Sequence, residues 1–437
     1  MLSLKKIIFK NFISESGKQG ITVIEHLLLV PLFLSFWEIN TYAEWIIISV
    51  IPTYLLLGNL GITTYGGNLI CIAYNQNKRN EVNFIFKNVF FFTCILILFF
   101  LIVFLFFDYL FNFRHILKIS SLSQTGFLSV IILLVLKLLF STLTSFLLIL
   151  LRAIHKNHIL NLFMILFSLS EFLLIIAILL NGGKILDVAL IGTLNYFVAF
   201  IFTYLFIKKR FRWFSTKKIK ISFLYLKKIF YPSASFMIPN LSRSLIIQGT
   251  IIFIATTLNN NLLVFYNSMR IVLNGIKQLI NTYSISFCPE IMIFFAKKKI
   301  KKIVEMYKSL LKYNTIISIT AVFILIFFIK EPFLYWTKGV IKWEFNFFII
   351  FLAASCLEWL NLPTINLPYA INKHVGLNKI HFFSFVIYWI LLLSLFETLD
   401  IYAVPNALIF SMLYFLIHNF IYTKNLFNKR LVSKKFF

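Results

Sequence analysis

Apolar residues fall in long blocks from one end of the chain to the other, separated by short polar joints. Crossing a bilayer as a helix takes about 20 predominantly apolar residues. Blocks of that kind predict about twelve spans. They are Gly20–Trp37, Ala43–Thr64, Ile85–Phe107, Leu122–Leu151, His158–Leu180, Ile185–Ile207, Ser233–Thr257, Leu262–Phe295, Tyr313–Ile329, Asn346–Tyr369, Asn378–Phe396 and Ile401–Tyr422. Little chain remains for a soluble domain. The pattern predicts an all-α integral membrane protein.

The block Leu262–Phe295 differs from the rest. Asn267, Arg270, Asn274, Lys277, Gln278, Asn281 and Ser284 recur at helical spacing and share one narrow arc. The remaining circumference is aliphatic and aromatic. An Arg or Lys near a helix centre costs about 2.5–3.5 kcal/mol on insertion. Two cations on one stripe must therefore face protein, water or a bound anion. The preceding span adds Arg243, about ten residues in, or roughly 15 Å at helical rise, which is near the midplane. Consecutive spans tend to be neighbours, so Arg243, Arg270 and Lys277 are expected on one cavity wall. The alternative is that they pair with Glu171 or Glu358 only to hold helices together.

Other intramembrane charges carry the same two readings. Lys137 and Glu171 either form a structural ion pair or line a water-filled cavity. Glu25 either reaches back to the headgroups or forms a proton or cation site at a cavity mouth. In the tenth span Glu358 and Asn361 precede Pro363, Asn366 and Pro368. Those prolines predict a kink, and freed carbonyls are tolerated only where protein or water satisfies them.

Composition sharpens the class. The chain of 437 residues is 60% hydrophobic and carries a formal net charge of +27. Such a charge invites a nucleic-acid reading, but its distribution rejects it. Of the 42 Lys and Arg residues, Arg114, Lys118, Lys184, Lys330, Lys338 and Lys342 fall in the loops on one side. Lys137, Arg243, Arg270 and Lys277 lie within spans, and all the others fall on the opposite side. This is the positive-inside asymmetry, and it predicts both termini in the cytoplasm. Residues 1–18 mix Lys with Leu, Ile and Phe, as an interfacial helix does. The basic, aromatic stretch 208–230 suits an anionic inner leaflet. It also divides the chain into an N-terminal bundle, 1–207, and a C-terminal bundle, 231–437. The halves read as a parallel repeat: Leu57–Phe91 set beside Leu279 onward matches Asn59 to Asn281, Thr64 to Ser286 and Tyr65 to Phe287. Transporters of that build place their site between the halves.

Cys71, Cys94, Cys288 and Cys356 lack metal or redox spacing and read as packing residues. The first apolar run is long and lacks a small-residue cleavage site, so no cleavable signal peptide is expected. Phosphate-cradling glycine loops and metal-ligand spacings are absent, and so is a large outer loop with catalytic acids. The sequence therefore points away from an enzyme and from any cofactor.

Residues 30–79 add a specific likeness. Pro31, Trp37, Tyr42, Glu44-Trp45, Ile51-Pro52, Tyr54-Leu55, Asn59-Leu60-Gly61 and the basic turn Asn77-Lys78-Arg79, with Phe86 after it, resemble the polysaccharide-repeat exporters. These are Wzx-type O-antigen flippases of the multidrug/oligosaccharidyl-lipid/polysaccharide superfamily. The family often has Asp where this chain has Asn59. The resemblance implies two six-helix pseudo-repeat bundles around a central cavity in the bacterial inner membrane. It implies flipping of undecaprenyl-pyrophosphate-linked oligosaccharide repeats to the periplasmic leaflet, for O-antigen of lipopolysaccharide or for capsule. On that reading Arg243, Arg270 and Lys277 neutralise the diphosphate, with Lys137 also on the cavity. Arg152 and Lys156 receive the diphosphate at the cytoplasmic side. Asn267, Asn274, Gln278 and Asn281 hydrogen-bond sugar hydroxyls, and Glu25, Glu171 or Glu358 carries a coupling proton or sodium ion. Expected partners are the lipid-linked oligosaccharide, anionic membrane lipids, a polysaccharide polymerase and a chain-length regulator. The alternatives are a multidrug or metabolite cation antiporter of the same superfamily and a membrane polysaccharide polymerase.

Overall fold

The structure is a computed structural model. It describes residues 2–57, 60–154, 156–214, 221–288, 291, 294–295, 299–371 and 375–426. Among these the chain is helical and no strand occurs. The long helices are α1 (Leu2–Phe36), α2 (Ile39–Leu57), α3 (Leu60–Asn75), α4 (Arg79–Phe111), α6 (Gln124–Ala153), α7 (Asn157–Leu180) and α8 (Ile185–Arg210). They continue with α9 (Phe223–Thr257), α10 (Asn260–Ser286), α11 (Ile300–Phe328), α13 (Phe345–Leu360), α14 (Leu362–Ala370), α15 (Val375–Leu399) and α16 (Ala403–Asn425). Two short helices, α5 (Phe113–Ile116) and α12 (Lys330–Trp336), sit in loops.

Each expected span overlaps one of these helices or, for the second and tenth, two of them. Eight helical stretches are long and apolar enough to cross a membrane among the described residues. Several boundaries differ. The expected interfacial helix 1–18 and the first span are one continuous helix, α1, which runs through Gly17 and Gly20 with no proline before Pro31. The second span extends through α2 and α3 to Asn75. Asn59, which the repeat aligns with Asn281, lies outside the described residues, as do 289–290, 292–293 and 296–298 near the end of the eighth span and 215–220 of the basic stretch.

Contacts divide the chain into two units. The first comprises 1–25, 32–241 and 251–260. Its centre is α6, which packs on α8, α3, α2, α7 and α4. Ser123 caps α6 by accepting from the Gly126 amide at 3.1 Å. Ile62, Ile70, Val89, Phe146, Leu150 and Ile207 lie in its core. Gly66 lets α3 approach α4: a Cβ there would meet Val89 Cγ2 at 2.7 Å. The loop after α4 is tied down by two buried carboxylates. Glu44 accepts from the amides and hydroxyls of Ser120 and Ser121. Asp108 accepts from the Phe113 amide at 3.0 Å and from Gln124 at 2.8 Å.

The second unit comprises 26–31, 242–250 and 261–437. Here α16 packs on α15, α13 and α14, and α11 packs on α13 and α14. The expected kink of the tenth span appears as the break between α13 and α14 at Asn361. Pro363 has no amide hydrogen to continue the ladder. Side chains take up the slack. Thr364 donates its hydroxyl to the Asn361 carbonyl at 2.6 Å, Asn361 donates to the Leu357 carbonyl at 3.1 Å, and Asn314 donates to the Trp359 carbonyl at 3.0 Å. Irregular backbone in a bilayer requires this satisfaction.

Replacing Gly66 with Leu should overpack the α3–α4 contact and cost on the order of 1–3 kcal/mol. A thermal melt of the detergent-purified chain should show the loss. Gly17→Ala, which meets nothing within 4 Å, should melt as the wild type does.

Candidate functional site

A polar cavity opens inside the second unit, lined from α9, α10, α13, α14, α15 and α16. It holds about 970 Å³ of empty space, counting that at its open mouth. Arg243, Arg270, Asn274, Lys277, Glu358 and His381 are its charged and strongly polar lining residues. Tyr266, Phe351 and Phe415 supply aromatic wall. From the polar arc of α10, Arg270, Asn274 and Lys277 face this space.

The cations are fixed by distinct contacts. Lys277, only 7% exposed, forms an ion pair with Glu358 Oε1. The Arg243 guanidinium lies 3.8 Å from the same oxygen, with a side chain 55% exposed. Arg270 donates to Asn267 Oδ1 at 2.7 Å, one helical turn away on α10. Asn267 is buried and so orients the arginine. The cavity lining thus holds three cations and one carboxylate, with two of the cations at that carboxylate. Placed in low dielectric, such an excess of one sign is expensive unless water or a mobile anion compensates it.

The stripe expected on α10 is split in two. Arg270, Asn274 and Lys277 line the cavity. Further along, Asn281 and Ser284 accept from the Asn366 side chain at 3.0 and 2.9 Å. That clamp ties α10 to α14, and a packing amide accounts for this end of the stripe. Gln278 is half-buried and does not line the cavity.

The remaining expected residues lie in the first unit. Lys137 pairs with Glu171, and its ammonium is 5.9 Å from the Tyr196 ring centre. Gly192 makes room for the pair: a Cβ there would sit 3.1 Å from Glu171 Oε1. The two residues form an ion pair, with both side chains partly exposed. Glu25 is buried, accepts from Ser168, and leaves Oε1 without a hydrogen bond among the described residues. Arg152 is exposed at the end of α6, and Lys156 is half-buried just before α7.

Sequence reasoning missed His381, Tyr266 and the serine that holds Glu25. His381 sits near the start of an apolar block, which was a usable signal. Tyr266 and Ser168 look like ordinary span residues, and only the packing reveals them.

Comparison with known proteins bears on fold and family. A family model described as "Polysaccharide biosynthesis protein" matches residues 47–292. Among proteins of curated function no sequence match was found. The chain is similar to the inward-facing conformation of a multidrug resistance MATE family transporter of the MOP superfamily. That match has a TM-score of 0.74 and 12% identity, covering 94% of this chain and 96% of the other. It is also similar to the MATE multidrug transporter DinF-BH, at TM-score 0.71 and 14% identity over 97% and 96%. A further MATE structure, in complex with MaD3S, gives 0.71 and 15% over the same shares. At these identities the likeness establishes the fold.

Glu171→Leu alone should strand the Lys137 ammonium and destabilise the first unit by roughly 3–5 kcal/mol. Adding Lys137→Met should recover most of that loss. Thermal melts of both single variants and the double variant read the coupling, and an additive double variant would show the pair to be incidental.

Proposed function

The chain belongs to the polysaccharide biosynthesis protein family, and from that premise we propose that it flips lipid-linked oligosaccharide repeat units across the bacterial inner membrane. The cargo is an undecaprenyl-pyrophosphate oligosaccharide, carried from the cytoplasmic to the periplasmic leaflet by alternating access, for O-antigen or capsule. The observation that carries this reading is the cavity lined by Arg243, Arg270 and Lys277 against Glu358 alone. Positive charge held in an apolar bundle is kept for an anion, and a diphosphate is the anionic part of such a cargo. Asn274 and His381 are placed to hydrogen-bond oxygen atoms beside it. The cations do not need long reach, because the cargo's polyprenyl tail remains in lipid.

The cation-antiporter reading suits the shared fold but not the sign of this cavity. A cationic drug would meet three like charges there. A membrane polymerase would act on the repeat after it has crossed, so the two differ in which leaflet holds the accumulated intermediate. We assign the coupling ion, a proton or sodium, to Glu25. Among the described residues Glu171 and Glu358 are ion-paired, whereas Glu25 has a serine and a bare oxygen. Both termini face the cytoplasm on this reading, residues 208–230 lie on anionic lipid, and a polymerase and chain-length regulator receive the product.

Arg270→Gln combined with Lys277→Gln should abolish surface polymer in a strain that depends on this protein, at unchanged protein level. Single unextended repeats should accumulate on the cytoplasmic leaflet. Accumulation on the outer leaflet would assign polymerase activity instead, and unchanged polymer would remove both residues from the mechanism. Glu25→Gln should lower the flipping rate at least about tenfold in reconstituted vesicles while leaving cargo binding intact.

A further inference from the structure

Among the described residues Glu358 is the one carboxylate lining the cavity, and it is spent on the cations that the cargo needs. Its Oε1 holds Lys277 and lies 3.8 Å from Arg243. A phosphate oxygen that came to those two cations would occupy the same position. The anion and the carboxylate cannot both sit there, because like charges in contact within a poorly hydrated cavity repel strongly. The remaining cation of the lining, Arg270, already donates to Asn267. The titratable and charged groups that line the cavity with it are Lys277, Arg270 and Tyr266 from α10, Arg243 from α9 and His381 from α15. The residues that α14 and α16 give to the lining are apolar.

We infer that Glu358 is a built-in counter-anion, which the cargo's diphosphate displaces from Lys277 and Arg243 and which takes up a proton as it is displaced. The inference rests on the anion-binding reading of this cavity and adds its regulation. The balance is simple. The empty cavity stores its cations against one internal negative charge. Loading exchanges that charge for the anionic diphosphate, a proton from water neutralises the released carboxylate, and unloading returns the proton as Glu358 closes again on Lys277. The carboxylate thus keeps the empty site from collapsing under its own repulsion and keeps it from holding stray monovalent anions. Cargo binding becomes proton-linked, tighter at low pH and weaker as pH rises. The sign follows from linkage: the loaded state binds one more proton than the empty one.

Calorimetry on the purified full-length chain tests this. The probe is methanedisulfonate, a diphosphate mimic that stays dianionic from about pH 6 to about pH 8. Titration in two buffers of different ionisation enthalpy gives the protons taken up per probe bound. The wild type should take up close to one proton near about pH 8 and bind about a hundredfold more weakly there than near about pH 6. Glu358→Gln should bind about tenfold tighter near pH 8, with the uptake gone and the pH dependence flattened. His381→Gln should keep the uptake. The wild-type uptake needs no variant, so it remains decisive should Glu358→Gln fold poorly. Binding by the wild type without proton uptake overturns the inference and leaves anion binding standing. So does uptake lost in His381→Gln but kept in Glu358→Gln. Binding unaltered by Arg270→Gln, or absent altogether, overturns the anion-binding reading itself, and the inference with it.

Discussion

A positive charge inside an apolar helix bundle is tolerated only with a partner, and that constraint organises this molecule. It explains why the polar residues of α10 form one stripe, since scattering them would expose several to lipid. It explains why Arg270 is held by Asn267 one turn away, and why Lys277 is buried against Glu358. Two solutions occur in the same chain. In the first unit Lys137 meets Glu171 one to one, with Gly192 shaped around them. In the second unit the cavity lining holds more cations than acids. The first arrangement is electrically closed. The second is open to a further negative charge.

That contrast distinguishes the two sets of charges better than depth in the membrane does. By depth and available partner Lys137 and Lys277 are alike, each a lysine in mid-span with a glutamate available on another span. Packing makes them different. Lys137 has one acid and an aromatic ring near it. Lys277 shares its acid with Arg243 beside open space. The family match over residues 47–292 covers Arg243, Arg270 and Lys277 but ends before Glu358.

Helix placement was largely legible, because a bilayer leaves the backbone few options and an apolar block of spanning length has one way to satisfy its amides. The kink was legible for the same reason: Pro363 removes an amide hydrogen at a known place. Ends were less so. Gly17 and Gly20 beside Lys18 read as a stop, yet α1 runs straight through them. The cavity was half legible. Spacing put Arg270, Asn274 and Lys277 on one face, and all three line the space. Spacing could not say that Asn281 would be consumed by Asn366, because that contact joins residues 85 apart in sequence. Long-range pairing of amides leaves no periodic trace. The serine on Glu25 is hidden in the same way.

The central claim is that the charge of the second unit's cavity is completed by the diphosphate of the cargo. An experimental structure of the chain bound to an undecaprenyl-pyrophosphate oligosaccharide tests it most directly. The account predicts phosphate oxygens within hydrogen-bond reach of Arg270 and Lys277, with Glu358 moved off Lys277. Diphosphate bound away from these residues, with the Lys277–Glu358 pair intact, would contradict it.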